Sequence, residues 1–337
     1  MPFEASLSSS TDETRTTTTT SSRSIQLLKQ RLSGFETEQG RLQGLAYVPL
    51  EKDEVVITTT PKAGTTWMQQ ICHQLRSARD CGGDMTFDEI SRVVPWLELA
   101  VDQGQDLYAP QYGQERDCPR MFKTHAWETD CPSFPKTIVV LRRPEDVVVS
   151  FYKFFEGWFF DPGTVDLSSF AKEFWLARGV PSNKMQNASY FVHLISWYDR
   201  RHDPTVLFVC FEDLLEDLEG QVRRIARFIS NDTYQYDQPD IVNVVVEKAS
   251  YEFMKEHSSQ FDEKLSKMAR NEACGLPKDA GMNHGKIGEG KDRNGDVVLS
   301  DEIKDAIQRK WNDIVLPVTG CDNYDDLRNQ LKTLQNK

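Results

Sequence analysis

The amino-acid sequence predicts one α/β domain, with a mainly parallel β-sheet that is flanked by helices on both faces. Short runs of β-branched and other apolar residues alternate along the chain with longer amphipathic segments. Strands buried on both faces have such continuous apolar runs, and their alternation with helices is typical of parallel sheets. The predicted strands are residues 55–59, 120–123, 137–141 and 206–210, and the predicted helices are residues 65–79, 145–157, 187–201, 213–229, 239–248, 301–314 and 323–333.

Length and composition agree with a globular domain of this kind. The chain has 337 residues, of which 39% are hydrophobic and 27% are charged, so it can bury a sizeable core. A formal net charge of −12 argues against a nucleic-acid partner, which would need a basic face. No stretch has the apolar length of a membrane span, so we expect a protein that is not integral to a membrane. Nothing in the sequence specifies an oligomeric state.

The cysteines and the N-terminal region bear on the compartment. Seven cysteines are scattered without a C-x-x-C pair, so neither a zinc ribbon nor a dithiol redox site is indicated. Because no signal-peptide segment is visible, we expect free thiols and a cytoplasmic location. Residues 1–23 are rich in serine and threonine and predict a disordered tail before a folded domain at residues 24–337. A transit peptide is the alternative, which acidic residues such as Glu4 and Asp12 disfavour.

The first predicted strand leads into a predicted phosphate-binding loop. Residues 61–67 have the sequence PKAGTTW and connect that strand to the next helix. Gly64 permits a turn with inward-facing N–H groups, and the helix N-terminus adds unpaired amides. Lys62 contributes a positive charge, and Thr65 and Thr66 contribute hydroxyl groups. The alternative is an ordinary strand-to-helix turn with a capping threonine.

The form of this loop differs from the usual nucleotide-binding loop. The lysine precedes the glycine, and no Gly-Lys-Ser/Thr follows. A P-loop kinase needs that Ser/Thr and a carboxylate at a later strand end to hold magnesium. The second and third strands end instead in FKTHAW and VVLRRPED, with cations and a histidine at those places. The sequence therefore favours metal-free transfer of an activated group on a P-loop-like fold. A nucleotide-dependent kinase and a non-catalytic nucleotide-binding protein are the alternatives.

The second and third strands each end in candidate functional residues. Lys123 and His125 lie two residues apart, on the same side of an extended segment. A histidine that titrates near neutrality suits a general base, and a structural histidine is the alternative. Arg142 ends the third strand, and Ser150 follows eight positions later. An arginine fork suits a terminal phosphate. The alternative is that Arg142 pairs with Glu145 or Asp146 of the next helix, but the adjacent Arg143 could be that salt-bridge partner instead, so the choice of Arg142 depends on its position in the motif.

The sequence SFYKFFEGWFF at residues 150–160 is strongly aromatic. Most of these residues are expected to form a buried helix and its exit turn. The distal part, Trp158 to Phe160, is the candidate wall of an acceptor pocket, with residues 94–97 as another wall. Such walls would fit a ring-bearing or apolar acceptor.

Several segments resemble, in the expected order, the cytosolic-type sulfotransferases that use 3′-phosphoadenosine-5′-phosphosulfate (PAPS). PKAGTTW is similar to the family's 5′-phosphosulfate loop, FKTH at 122–125 to its catalytic Lys-x-His segment, and LRRPEDVVVSFYKF at 141–154 to its 3′-phosphate motif. VPWLE at 94–98, FED at 211–213 and ASYEFMK at 249–255 also have counterparts. The resemblance covers roughly residues 40–335.

This resemblance implies transfer of a sulfonate group from PAPS to a hydroxyl or amine of a small-molecule or lipid acceptor. It assigns His125 as the general base, Lys62 as the cation at the bridging oxygen, and Lys123 as a residue that holds the sulfonate. No metal is implied. The implied nucleotide-binding residues are Lys62, Gly64, Thr65, Thr66, Trp67, Arg142, Ser150, Phe211, Ser250, Tyr251, Gly285 and Lys286.

The chain departs from the family pattern at several positions. Phe211 stands where members often have tyrosine, and Ala63 replaces the usual serine of the loop. The C-terminal Arg-Lys-Gly that grips the 3′-phosphate appears as Asn-His-Gly at residues 283–285. We expect Lys286 or Lys291 to supply the charge from a shifted position. The C-terminal tail is more like that of bacterial-type members.

Overall fold

The computed structural model describes residues 23–112, 118–232, 235–282, 285–287 and 299–335. Residues 1–22 of the predicted tail lie outside these residues, as do Asn283, His284 and Lys291 of the predicted C-terminal phosphate site.

The described residues form a parallel sheet of four strands in the order β2-β1-β3-β4. The strands are β1 (Val55–Thr59), β2 (Met121–Thr124), β3 (Lys136–Leu141) and β4 (Val206–Cys210). Strands β1 and β4 match the predicted bounds, β3 begins one residue earlier than predicted, and β2 is shifted by one residue at both ends. Thr58 of β1 pairs with Thr124 of β2 and with Val139 of β3, so the carboxyl ends of the strands meet along one edge.

Helices cover both faces of this sheet, as predicted. Side chains of β3 alternate between the two hydrophobic cores: Ile138 and Val140 pack into one core, and Val139 and Leu141 into the other. The helices in chain order are 23–33 (α1), Glu38–Leu45 (α2), Thr65–Cys81 (α3), Pro144–Glu156 (α4), Leu167–Ser169 (α5), Tyr190–Tyr198 (α6), Phe211–Glu216 (α7), Leu218–Ile229 (α8), Pro239–Lys248 (α9), Tyr251–Glu256 (α10), Lys264–Arg270 (α11), Asp301–Lys310 (α12), Leu316–Thr319 (α13) and Tyr324–Gln335 (α14). Helices α5 and α12 continue as the π-helical segments Phe170–Trp175 and Trp311–Val315.

Two predicted helices needed correction. The segment predicted as one helix at residues 213–229 is two, because Asp217 leaves the helical conformation and its side chain accepts a hydrogen bond from Gly220 N–H as the cap of α8. The helix predicted at 187–201 begins only at Tyr190, where the hydroxyl of Ser189 caps its first turn.

No helix in the described ranges is long and apolar enough to cross a membrane. The described cysteine side chains, at positions 72, 118, 131, 210, 274 and 321, are all free thiols.

Candidate active site

A cavity of about 1300 Å³ opens beyond the carboxyl ends of the strands, where parallel sheets usually bind their ligands. Residues predicted to bind the nucleotide and residues predicted to catalyse the reaction both line this cavity. The predicted residues that line this cavity are Lys62, Gly64, Thr65, Thr66, Trp67, Lys123, His125, Arg142, Ser150, Phe211, Tyr251 and Lys286. Ser250 and Gly285 are not among its lining residues: the hydroxyl of Ser250 accepts a hydrogen bond from Phe253 N–H and caps α10.

The loop between β1 and α3 has the backbone of an anion cradle. Lys62 and Gly64 both have positive φ angles, of 72° and 108°, and a lysine in this region costs roughly 1–2 kcal/mol. A Cβ atom at Gly64 would lie 2.7 Å from Cδ2 of Phe211, so a side chain there would clash. Phe211 thus packs directly against the loop, and the centre of its ring lies 5.2 Å from that of Trp67. This packing gives a physical role to the phenylalanine that replaces the family's tyrosine.

His125 is held by its backbone and by one ring nitrogen. Its backbone N–H donates to Glu98 Oε1 at 2.7 Å, and its Nδ1 lies 2.8 Å from the carbonyl oxygen of Thr59. A carbonyl oxygen can only accept, so Nδ1 carries the proton and Nε2 has the free lone pair. Among the described residues nothing bonds to Nε2, and the ring lines the cavity. The side chain can therefore accept a proton from a molecule in the cavity.

The pKa of His125 is low in the empty site. Burial lowers the pKa to about 3, and the positive charges of Lys123 and Lys286 add to the effect. The imidazole is consequently neutral at all physiological pH values. It is ready to accept a proton, but it is a weak base until those charges are offset.

Lys123 and Lys286 share one buried carboxylate that the sequence did not predict. Lys123 Nζ lies 3.3 Å from Glu263 Oε1 and 4.3 Å from the centre of the Trp96 ring. Lys286 Nζ pairs with the same oxygen of Glu263 and donates to Thr66 Oγ1 at 3.4 Å. Burial opposes ionisation of Glu263, yet the two lysines hold its pKa well below the usual range. The carboxylate therefore connects Lys123 of β2 with Lys286, and through Lys286 with Thr66 at the start of α3.

Glu263 itself is held in an unusual conformation. Its φ of 56° lies in the left-handed region, and its Oε2 accepts a hydrogen bond from Ser266 Oγ at 2.6 Å. Backbone strain of this kind is typical of functional sites. A single glutamate outside any motif gives no sequence signal, because only the fold brings it to Lys123.

The structure distinguishes the two candidate arginines of the 3′-phosphate motif. Arg142 lines the cavity, lies 4.4 Å above the Phe211 ring and donates from NH1 to the carbonyl oxygen of Lys62 at 3.1 Å. Arg143 points elsewhere and pairs with Asp325 at 2.6 Å. Ser150 of α4 lines the cavity beside Arg142, so the arrangement favours Arg142 as the residue that binds an anion.

Aromatic rings form another part of the cavity lining, and the sequence indicated two of them, Trp96 in the predicted wall at residues 94–97 and Phe159. Of the predicted wall Trp158 to Phe160, only Phe159 lines the cavity, and Trp158 Nε1 instead donates to Asn271 at 2.9 Å. The stretch assigned to a buried helix supplies three lining rings, and α1, which the sequence did not predict, supplies Leu32. Besides Trp67, Phe211 and Tyr251, which are named above, the lining residues with phenyl or indole rings are Phe35, Trp96, Phe151, Phe154, Phe155, Phe159 and Phe174.

Within the described ranges, no group of three or more His, Cys, Asp or Glu side chains is placed to hold a metal ion.

Comparison with known proteins gives consistent matches. A family model described as a sulfotransferase domain matches residues 52–314. Human sulfotransferase 1E1 is 28% identical over 217 residues, which cover 61% of this chain and 68% of that protein. The amine sulfotransferase of Oryctolagus cuniculus is 27% identical over 219 residues, covering 64% of this chain and 67% of that protein.

Solved structures are similar in fold. Retinol dehydratase in complex with androsterone and inactive cofactor PAP has a TM-score of 0.57 at 18% identity, covering 82% of this chain and 87% of that chain. Mouse sulfotransferase SULT7A1 complexed with PAP has a TM-score of 0.54 at 16% identity, covering 90% of this chain and 95% of that chain. The predicted P-loop-like α/β fold is confirmed.

Proposed function

The chain belongs to the sulfotransferase domain family and is a sulfonate-transferring enzyme, and from this premise we propose its donor, acceptor class and catalytic residues. The donor is PAPS, bound by the loop at Lys62–Thr66 and by Arg142. The acceptor is a hydroxyl or amine compound with an apolar or ring-bearing body. The observation that carries the proposal is that His125, whose Nδ1 is bound to Thr59, lines the same cavity as the loop at residues 61–67.

The residues of this chain divide the reaction between them. As the acceptor oxygen bonds to sulfur, the bond between sulfur and the bridging phosphate oxygen breaks, and His125 Nε2 takes the acceptor proton. Lys62 stabilises the negative charge that develops on the bridging oxygen, and Lys123 holds the transferring sulfonate. The products are the sulfated acceptor, 3′-phosphoadenosine-5′-phosphate (PAP) and the proton on His125, which then passes to solvent.

Donor binding raises the basicity of His125 in this proposal. The positive charges of Lys123 and Lys286 lower the pKa of His125 in the empty site. Burial is the larger cause of the low pKa, and the lysine charges are the part that a ligand can change. An anionic donor against both lysines would offset these charges and raise the pKa of His125, so that the base becomes stronger when the donor is in place.

Two features support the acceptor class. The aromatic half of the cavity, with Trp96 and Phe159, offers apolar surface close to His125, and the rings of Trp96 and His125 lie 5.0 Å apart. One relative is named for an amine acceptor and one similar fold holds androsterone, so both acceptor chemistries belong in a first screen. A cytoplasmic location is part of the same proposal, supported by the free thiols of the described cysteines.

Two measurements test the proposed donor. PAP should raise the melting temperature, whereas ATP with magnesium should raise it much less. Incubation with radiolabelled PAPS and a panel of phenols, sterols, amines and glycolipids should label at least one acceptor. A larger shift with ATP and magnesium, together with phosphoryl transfer, would support the kinase alternative and contradict the proposal.

A further inference from the structure

Arg178 lies in the aromatic half of the cavity, just after the π-helical segment Phe170–Trp175. Its guanidinium carbon is 4.5 Å from the centre of the Phe174 ring and 5.6 Å from that of Phe151. Stacking on rings leaves the edge of the planar guanidinium, where its N–H groups are, free to bind other groups. The arrangement therefore places a fork of donors beside the aromatic rings of the cavity lining.

This guanidinium has no polar partner in the part of the chain that the structure describes. Every other described arginine that is not exposed donates a hydrogen bond or is otherwise engaged. No salt bridge within 4.0 Å joins Arg178 to an acid among the described residues. Glu36 and Glu173 line the same cavity. Glu36 is already bound by Arg41 at 2.6 Å, so it does not act as the partner.

The environment makes a missing partner costly. Burial lowers the pKa of Arg178 to about 10, with only the charge of Glu36 opposing the shift, so the side chain is still cationic at neutral pH. A cation that is partly withdrawn from water is unfavourable unless an anion or several acceptors meet it. Arginine forks bind carboxylate, sulfate and phosphate groups with two parallel hydrogen bonds.

We propose that Arg178 binds an oxyanion carried by the acceptor, so that the acceptor is an apolar or aromatic hydroxyl compound with a carboxylate, sulfate or phosphate group. This inference rests on the proposed function. The proposed donor ligands Lys62 and Arg142 come from the phosphate loop and the start of α4, and Arg178 comes from a different element whose neighbours are acceptor-side rings. It therefore determines acceptor specificity and has no part in the transfer step.

Paired acceptors test the proposal. The pairs are para-hydroxyphenylacetate, para-hydroxyphenylpropionate and omega-hydroxydodecanoate, each with its neutral primary amide, and para-hydroxyphenyl phosphate serves as a phosphate arm. The kcat/KM for each acceptor is measured with PAPS in the parent, Arg178→Gln and Arg178→Lys. Arg201→Gln is the matched control, because Arg201 also stacks on a ring, 4.1 Å from Tyr198, but does not line the cavity.

We expect the parent to prefer the anionic member of at least one pair by ~10-fold or more. Arg178→Gln should abolish this preference by raising KM for the anion while the neutral amide changes less than ~3-fold, Arg178→Lys should keep part of it, and Arg201→Gln should keep all of it. Equal kcat/KM for both members of every pair, or equal losses for both in Arg178→Gln, would overturn the proposal.

Binding measurements distinguish failure of the Arg178 proposal from failure of the proposed function. Calorimetry of each pair with PAP-saturated protein measures acceptor preference without turnover. A preference for the anion that depends on Arg178 supports the site even when no sulfonate is transferred, and absence of any preference overturns it. Weaker PAP binding in Arg178→Gln with unchanged acceptor preference would assign the arginine to the nucleotide and would also overturn it.

Discussion

The ring of His125 is fixed by the carbonyl oxygen of Thr59, which lies 2.8 Å from Nδ1. Thr59 is the last residue of β1, so the strand that carries the phosphate loop also sets the tautomer of the base on the neighbouring strand. The hydroxyl of Thr59 lies 2.6 Å from that of Thr65 at the start of α3. Contacts through Thr59 thereby connect His125 to the start of α3, and the proposed base and phosphate loop would need such a fixed relative position for group transfer.

The first prediction concerns this base. His125→Ala removes a positioned proton acceptor, so kcat with a hydroxyl acceptor should fall by roughly 10²–10⁴-fold. PAP affinity should stay within a few-fold, because the side chain contacts neither the phosphate loop's backbone nor Arg142. The control is His257→Ala, since His257 stacks on Phe253 and does not line the cavity. Turnover, PAP affinity and melting temperature are measured on one preparation, and retained turnover would show that His125 is only structural.

The second prediction compares the adjacent arginines. Arg142→Ala should weaken binding of PAP by about 2–3 kcal/mol, since a charge-assisted contact to the 3′-phosphate is lost. Adenosine 5′-phosphate lacks that group and should lose much less. Arg143→Ala is the control, because its partner Asp325 is exposed and outside the cavity. Equal losses for both nucleotides in Arg142→Ala would contradict the assignment.

The third prediction concerns Glu263. Glu263→Gln leaves Lys123 and Lys286 as two like charges without their shared carboxylate, and breaking a buried pair typically costs about 3–5 kcal/mol. The melting temperature of the empty protein should therefore drop by several degrees. Anionic nucleotide can then compensate both lysines, so the increment in melting temperature caused by saturating PAP should be larger than in the parent.

Glu219→Gln is the control for this variant, because Glu219 pairs with Arg223 on the surface and its loss should change little. Thermal denaturation with and without PAP measures both quantities. If the PAP increment is the same in Glu263→Gln and the parent, the two lysines do not meet the nucleotide.

The parts of the fold and site that the sequence predicted correctly depend on local pattern. Strands β1 and β4 have the predicted bounds because each is a continuous run of β-branched or apolar residues. The loop at residues 61–67 was found because its function requires particular residue types within a few positions. Lys123 and His125 were found for the same reason, since one strand end presents both.

The parts that the sequence missed depend on distant contacts. Glu263 lies 140 residues from Lys123 along the chain, and nothing in its local sequence indicates a shared site. The sequence assigned Phe151, Phe154 and Phe155 to a buried helix. They line the cavity together with Leu32 of α1 and Arg178, which are distant from them or unpredicted in the sequence. Helix α1 itself was missed because its sequence directly follows a polar tail. Its stability comes from packing of Ile25 and Leu28 into the core.

The last prediction concerns a histidine that is structural. His193 is buried, with Nε2 3.1 Å from Thr58 Oγ1, and burial lowers its pKa to about 3. The unfolded chain binds this proton near the ordinary histidine pKa of about 6.5, so the unfolded state holds more protons than the folded state between these two values. Stability linked to His193 is therefore complete above the unfolded pKa and is lost as pH falls.

Replacing His193 with a residue that does not titrate removes this pH dependence of stability. His193→Gln should be less stable than the parent at about pH 7, but the gap should narrow by about 2 kcal/mol on going to about pH 5, because only the parent loses the proton-linked term. Urea denaturation at both pH values measures the gap, with the exposed His202→Gln as the control. A gap that stays constant would mean that the pKa of His193 is the same in the folded and unfolded states, and a gap that widens would mean that folding raises this pKa; either result would contradict the prediction.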